Sequence, residues 1–167
     1  MTAAGPGARS REVLALRLWR RLDGSAAGRW LFTRIVCFKA PYFASISPRV
    51  TRLEPGLCEA WLQQRRRVQN HIGTVHAIAL CNLAELCAGL VTDVSIPADM
   101  RWIPQDMTVR YLRKAGGRIA ASARPVTELR SAAEPYAATI AVTLADDGGQ
   151  VVASADIHMW LSPRTPS

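Results

Sequence analysis

The stretch from residue 76 to 91 constrains this chain more than any other. It places Leu80, Leu83, Ala84 and Cys87 at helical spacing in a segment rich in Ala and Leu. The segment is apolar nearly all the way round, so a helix here has to be buried on most of its sides. Something must wrap it, and the flanking sequence supplies the wrapping. Ahead of it, residues 45–54 read as a strand and Pro55-Gly56 as a turn. Residues 57–64 follow as a second strand, with Cys58, Ala60 and Leu62 alternating against Glu59, Trp61 and Gln63. After Pro97 the period returns to two. Met107, Val109 and Tyr111 alternate with Thr108, Arg110 and Leu112, and Ala115-Gly116-Gly117 makes a turn into a strand over 118–125. Tyr136, Ala138, Ile140, Val142 and Leu144 alternate cleanly, Asp146-Asp147-Gly148-Gly149 is a hairpin loop, and a last strand runs over 151–161. Two strands, one buried helix and four more strands predict an α+β domain in which an antiparallel sheet surrounds a single helix. At 167 residues the chain has room for one such core.

The N-terminal part reads differently. Residues 1–10 read as a flexible tail. From about Arg11 to Leu22 the spacing of Ala15, Leu18, Trp19 and Leu22 is helical, with Arg17, Arg20 and Arg21 opposite. Asp23-Gly24-Ser25 ends that helix, and a second over 26–38 puts Leu31, Ile35 and Phe38 on one face before Pro41 closes it. The net charge is +8, and eight basic against two acidic residues fall within the first 39 positions. A basic amphipathic pair of this kind fits a membrane-surface helix, and loosely a mitochondrial presequence. Packing on the domain with the Arg faces in water is the favoured reading, since amphipathic helices mostly bury their apolar stripe. The charge also raises nucleic-acid binding, but no motif or aromatic stacking surface accompanies it, so no nucleic acid is expected.

Cys37, Cys58, Cys81 and Cys87 form no CxxC pair, and no His cluster completes a zinc site, so neither a metal nor a cofactor is expected. Four reduced, mostly buried thiols fit a cytoplasmic protein. No run of 18 apolar residues is present and no secretory signal is visible, so a transmembrane helix is not expected.

Chemistry concentrates between residues 70 and 85. Asn70-His71-Ile72-Gly73-Thr74-Val75-His76-Ala77 is polar, contains glycine and leads straight into the apolar helix. That helix carries Glu85 two to three turns in. A carboxylate in such surroundings is costly to bury unless it is paired or used. The helix N-terminus at His76 and Ala77 offers backbone N–H groups where developing negative charge is stabilised. A carboxylate and an oxyanion site are the minimal equipment for attack on a carbonyl. Each residue also has a structural reading: Asn70 capping a turn, His71 solvated in a loop, His76 bonding to backbone at the helix start, Glu85 pairing with an Arg across a dimer.

Asn70, Gly73, His76, Ala77 and Glu85, at these spacings, resemble the signature of the hotdog-fold acyl-CoA thioesterase superfamily, in particular its phenylacetyl-CoA type. Residues 105–112 resemble that family's third strand and 115–123 the turn and strand after it. The resemblance spans roughly residues 45–162, with amphipathic helices over 11–44 outside it and a tail from 163 to 167. It implies a hotdog fold, a long central helix wrapped by a curved antiparallel sheet, assembled as a homodimer or homotetramer with sites at the subunit interface. It implies Glu85 as general base or nucleophile, the N–H groups of His76 and Ala77 as oxyanion donors, and Asn70 as the residue that positions water. Three departures stand out: Glu85 in place of the common Asp, Ala77 where Gly is frequent, and Pro104 where a water-holding Ser or Thr is usual.

The function this implies is hydrolysis of an acyl-CoA thioester, with His71 and Thr74 near the substrate. Arg65, Arg66, Arg67, Arg110, Arg113 and Lys114 are the candidates to meet the CoA phosphates. The alternatives are a non-catalytic acyl-binding module, membrane-associated through residues 11–38, and a hotdog hydratase or dehydratase using His71 and Glu85. Asp156 and His158, on one side of the last strand, read as a charge pair on a solvent face.

Overall fold

The computed structural model describes residues 13–164. The tail expected over 1–10 lies outside them, as do residues 165–167. Helix α1 (Leu14–Leu22) turns Leu16 and Trp19 into the protein and leaves Arg17, Arg20 and Arg21 in solvent. Ser25 caps helix α2 (Ala26–Lys39), its Oγ accepting from the Gly28 N–H at 3.0 Å. The two helices meet so closely that a Cβ on Gly28 would lie 2.0 Å from the Leu22 carbonyl oxygen, so only glycine fits there. Pro41 does not end the helical path; it opens a 3-10 helix, Pro41–Ile46.

Strands β1 (Arg49–Glu54) and β2 (Leu57–Gln63) form a hairpin, and helix α3 (Ala77–Ser95) follows. It starts one residue after the expected point, with His76 as its cap. It runs a turn longer than expected, to the extended residue Ile96 that the following Pro97 forces out of the helix. Strands β3 (Met100–Tyr111), β4 (Arg118–Pro125), β5 (Tyr136–Ala145) and β6 (Val151–Pro163) complete one antiparallel sheet in the order β1-β2-β4-β5-β6-β3. Alternation decides the inner face: Ile119, Ala121 and Ala123 of β4, Ile140, Val142 and Leu144 of β5, and Ala155, Ile157 and Met159 of β6 are all buried. The long helix in a curved antiparallel sheet is the arrangement that the resemblance implies. Arg164 bonds to Asp99 and Met100, so the ordered chain continues past residue 163.

Three expectations change. By length and hydropathy α3 is apolar enough to cross a membrane, although no such segment was expected. A helix enclosed by a sheet needs the same all-round apolarity, and most of α3 is buried in this way. Second, α2 buries Phe32, Thr33 and Cys37, while Leu31 and Phe38 are exposed and Ile35 is half-buried. The predicted face is turned by about one residue position (100°), because Phe32 meets Trp19 edge-on and Thr33 is drawn toward β1. Third, the N-terminal helices share the main core. Leu16, Trp19 and Phe32 belong to the same buried apolar cluster as Leu83 and Ile157, so the packing has no seam near residue 45.

Strand β3 is an edge. Pro104, which cannot donate to a ladder, sits there beside a bulge between Pro104 and Asp106. Ile103, Met107 and Tyr111 are exposed on this strand.

Candidate functional site

The loop before α3 is a tight turn built around Asn70. The Asn70 Oδ1 accepts from the N–H groups of Ile72 (3.1 Å) and Thr74 (3.0 Å), and its Nδ2 donates to the Thr74 hydroxyl at 2.8 Å. Gly73 takes the left-handed conformation that closes the turn, at φ 79°. The turn-capping reading of Asn70 holds in this chain, and one of its amide hydrogens is left over. His71 is exposed at the tip.

His76 caps α3 by accepting from the Ile78 N–H on Nδ1 at 3.1 Å. Its own N–H donates to the Val68 carbonyl at 2.7 Å. That corrects the pairing of His76 and Ala77 as oxyanion donors: the His76 N–H is consumed by the loop that seats it. Ala79 donates back to the His76 carbonyl, so among the described residues the Ala77 N–H alone is unclaimed in the first turn.

Glu85 is exposed, contrary to the expectation of a buried carboxylate. The sheet, together with the 3-10 helix and α1, covers the rest of α3 and leaves uncovered a stripe that carries Ile78, Cys81 and Glu85. Among the described residues Glu85 makes no hydrogen bond or ion pair. It lines a cavity of about 580 Å³ bounded by α1, α2, α3 and the start of β3. Glu85 and Ala77 are eight residues apart, about 12 Å along the helix, so one chain cannot bring both to one carbonyl. His71 is held at the far end of that helix, because its turn packs against Gln64 and Ala115.

The basic residues divide. Gln64 bonds to Gly117 through backbone and side chain, and Val75 donates to the Ala115 carbonyl. These bonds bring the 65–67 and 113–114 segments to the N-terminal end of α3. Arg66, Arg67, Arg113 and Lys114 are exposed there without an ion pair among the described residues, while Arg65 donates to the Ile46 carbonyl. Arg110 stands apart. It pairs with Asp156 at 3.1 Å on the outer face of the sheet, away from α3. His158 pairs with Asp106 at 2.5 Å on that same face, so Asp156 and His158 each find a partner on β3 rather than each other.

Sequence reasoning passed over two features. Asn82 is buried one turn before Glu85 and donates to the Ser45 hydroxyl at 3.1 Å, fixing the 3-10 helix against α3; its Oδ1 has no partner. A polar residue inside the 76–91 run was the available signal. Cys81 and Tyr111 bond at 3.0 Å across α3 and β3, which pushes the Tyr111 phenol up to about 12. The four thiols are unbridged, and a hydrogen bond to Cys87 together with burial pushes the Cys58 thiol up.

A long helix enclosed by an antiparallel sheet, with a polar turn at its N-terminus and a carboxylate on its uncovered stripe, defines a hotdog-fold domain. The chain belongs to the family described as a domain of unknown function, DUF4442, whose model matches residues 28–161. That match begins inside α2, ahead of the residue-45 start that the motifs indicated. Among solved structures, the structural-genomics protein APC5556 is 41% identical, with 90% of this chain and 98% of that one covered and a TM-score of 0.76. PA5026 from Pseudomonas aeruginosa, described as a protein of unknown function and probable thioesterase, is 27% identical over 77% and 91% of the chains, TM-score 0.67. The thioesterase HI1161 from Haemophilus influenzae, 13% identical over 73% and 82%, TM-score 0.64, shares the fold. No curated protein matches.

Proposed function

We propose that the protein hydrolyses acyl thioesters, acyl-CoA in particular, with Glu85 as the general base or nucleophile. The observation that carries this reading is the unpaired Glu85 carboxylate at the wall of a large apolar cavity. A free carboxylate beside a place for an acyl group is what attack on a thioester needs. As base, Glu85 takes a proton from water as the oxygen adds to the carbonyl; the tetrahedral intermediate then breaks its C–S bond, the leaving CoA thiolate takes that proton from Glu85, and the free acid and the Glu85 carboxylate remain. The Ala77 N–H stabilises the oxyanion. Because it lies about 12 Å of helix from Glu85, the working site combines Glu85 of one chain with the α3 N-terminus of another, so the active species is a homodimer or a multiple of one. The free Asn70 amide hydrogen orients the water. Arg66, Arg67, Arg113 and Lys114, gathered at that helix end, meet the CoA phosphates. The probable thioesterase PA5026 supports the same chemistry at 27% identity.

The test is free-thiol release over a panel of acyl-CoAs, comparing wild type with Glu85→Gln. The variant keeps the side-chain volume and removes the base, so turnover is lost while acyl-CoA binding persists. A variant as fast as wild type refutes the assignment. Binding without turnover in both proteins makes this a non-catalytic acyl-binding module.

A further inference from the structure

The N-terminal helices lie outside the elements that the hotdog motifs mark, yet they wall the cavity that Glu85 faces. Its far side is built by Leu14 and Leu18 of α1 and Ile35 and Val36 of α2; its floor includes Gly89 of α3 and Trp102 of β3. We propose that this cavity holds the acyl chain of the thioester, and that α1 and α2 set the chain length accepted. The proposal rests on the Glu85 reading above and adds the substrate class.

The physical case has three parts. Apart from Lys39, Glu85 and Asp93, every residue lining the cavity is apolar. The cavity opens to solvent on the side of Glu85 and Leu14, and its volume of about 580 Å³ falls in the range of small-molecule sites. Its length also fits. The lining follows α3 from Glu85 to Asp93, eight residues or about 12 Å, which matches about ten extended methylenes. A carbonyl held at Glu85 therefore sends its chain along α3 beneath the two helices. Gly89 keeps the channel open: a Cβ there would lie 3.1 Å from the Trp102 ring edge, and a larger side chain would occupy the floor.

Burial of each further methylene raises affinity about fourfold until the channel is full. The chain-length profile of kcat/KM therefore climbs to about ten carbons and then levels. The test fills the channel from opposite walls, with Gly89→Leu and separately Leu18→Trp, and widens it with Leu18→Ala. Two readouts are taken: the ratio of kcat/KM for decanoyl-CoA over butyryl-CoA, and calorimetric binding of decanoic acid, which needs no catalysis. Each filling variant lowers the ratio at least tenfold and abolishes decanoate binding, and Leu18→Ala moves the optimum to longer chains. If the folded variants keep the wild-type profile and bind decanoate, the inference is overturned. If the filling variants fail to fold, an unchanged profile in Leu18→Ala overturns it. Decanoate binding that is lost on filling, in a protein whose Glu85→Gln variant matches wild type, upholds the pocket and overturns the catalytic reading instead.

Discussion

Phe32→Ala tests whether the N-terminal helices are structural members of the domain. Phe32 is fully buried, and its ring meets Trp19 edge-on at 5.0 Å between centroids and 75° between planes. The next residue, Thr33, donates its hydroxyl to the Arg29 carbonyl and accepts from the Val50 N–H at 3.1 Å, which joins α2 to β1. Truncating a buried Phe to Ala costs about 3–5 kcal/mol, from lost transfer energy and the space left behind. The space is not relieved by collapse here, because Phe32 already borders the 580 Å³ cavity, so the upper half of that range, ~4–5 kcal/mol, is expected. The edge-on pair supplies about 1 kcal/mol of this, which a double-mutant cycle with Trp19→Ala isolates. For a chain of this size each kcal/mol moves Tm by roughly 2–4 °C, so the fall is about 8–20 °C. Thermal and urea unfolding followed by circular dichroism at fixed protein concentration measures it. A single transition displaced by that amount means that the helices unfold with the sheet. A main transition moved by less than about 2 °C refutes the reasoning, since the helices would then be appendages to a core complete without them.

Two further outcomes follow from local geometry. Asn70→Ala removes two accepted backbone N–H bonds and one donated bond from a half-buried turn, so the urea midpoint should correspond to about 1–2 kcal/mol of lost stability; an unchanged midpoint would show that the turn holds without its side chain. Tyr111 should ionise near pH 12 in the folded protein, above the usual phenol, and Cys81→Ala should return it toward 10 in an absorbance titration. The raised value favours the protonated, folded form, so this contribution to stability is complete below pH 10 and is lost as the pH climbs through 12; a titration unaltered by Cys81→Ala would refute the coupling.

Much of the fold was legible in the residues. Strand β4, the hairpin at 146–149 and the alternation of β5 and β6 follow from period-two patterning and turn chemistry, which are local and survive whatever packs above them. The buried helix was equally clear, because an apolar surface on every side admits few other fates. The two ends of the candidate site were legible as residues too: a polar turn ending in His76, and a carboxylate at Glu85. Their roles were less so. Asn70 and His76 carry side chains that bond either to their own backbone or to something distant, and sequence alone does not decide between the two.

What only the tertiary structure decided has one common cause: a helix pattern shows that a face is apolar without showing which neighbour covers it. The all-round apolarity of α3 hid the stripe that the sheet leaves open, and with it the exposure of Glu85. The shift of α2 from Leu31 and Phe38 to Phe32 and Cys37 came from contacts with Trp19 and Val50. The cavity is assembled from α1, α2, α3 and β3, elements up to about 150 residues apart when Met159 of β6 is included, and no local pattern announces it. The sequence by itself determined a wrapped helix, its antiparallel strands and the residues with chemistry to offer, because those depend on spacing along the chain. The open stripe, the consumed His76 N–H and the chamber beneath the N-terminal helices depend on distances through space, and only the folded chain sets those.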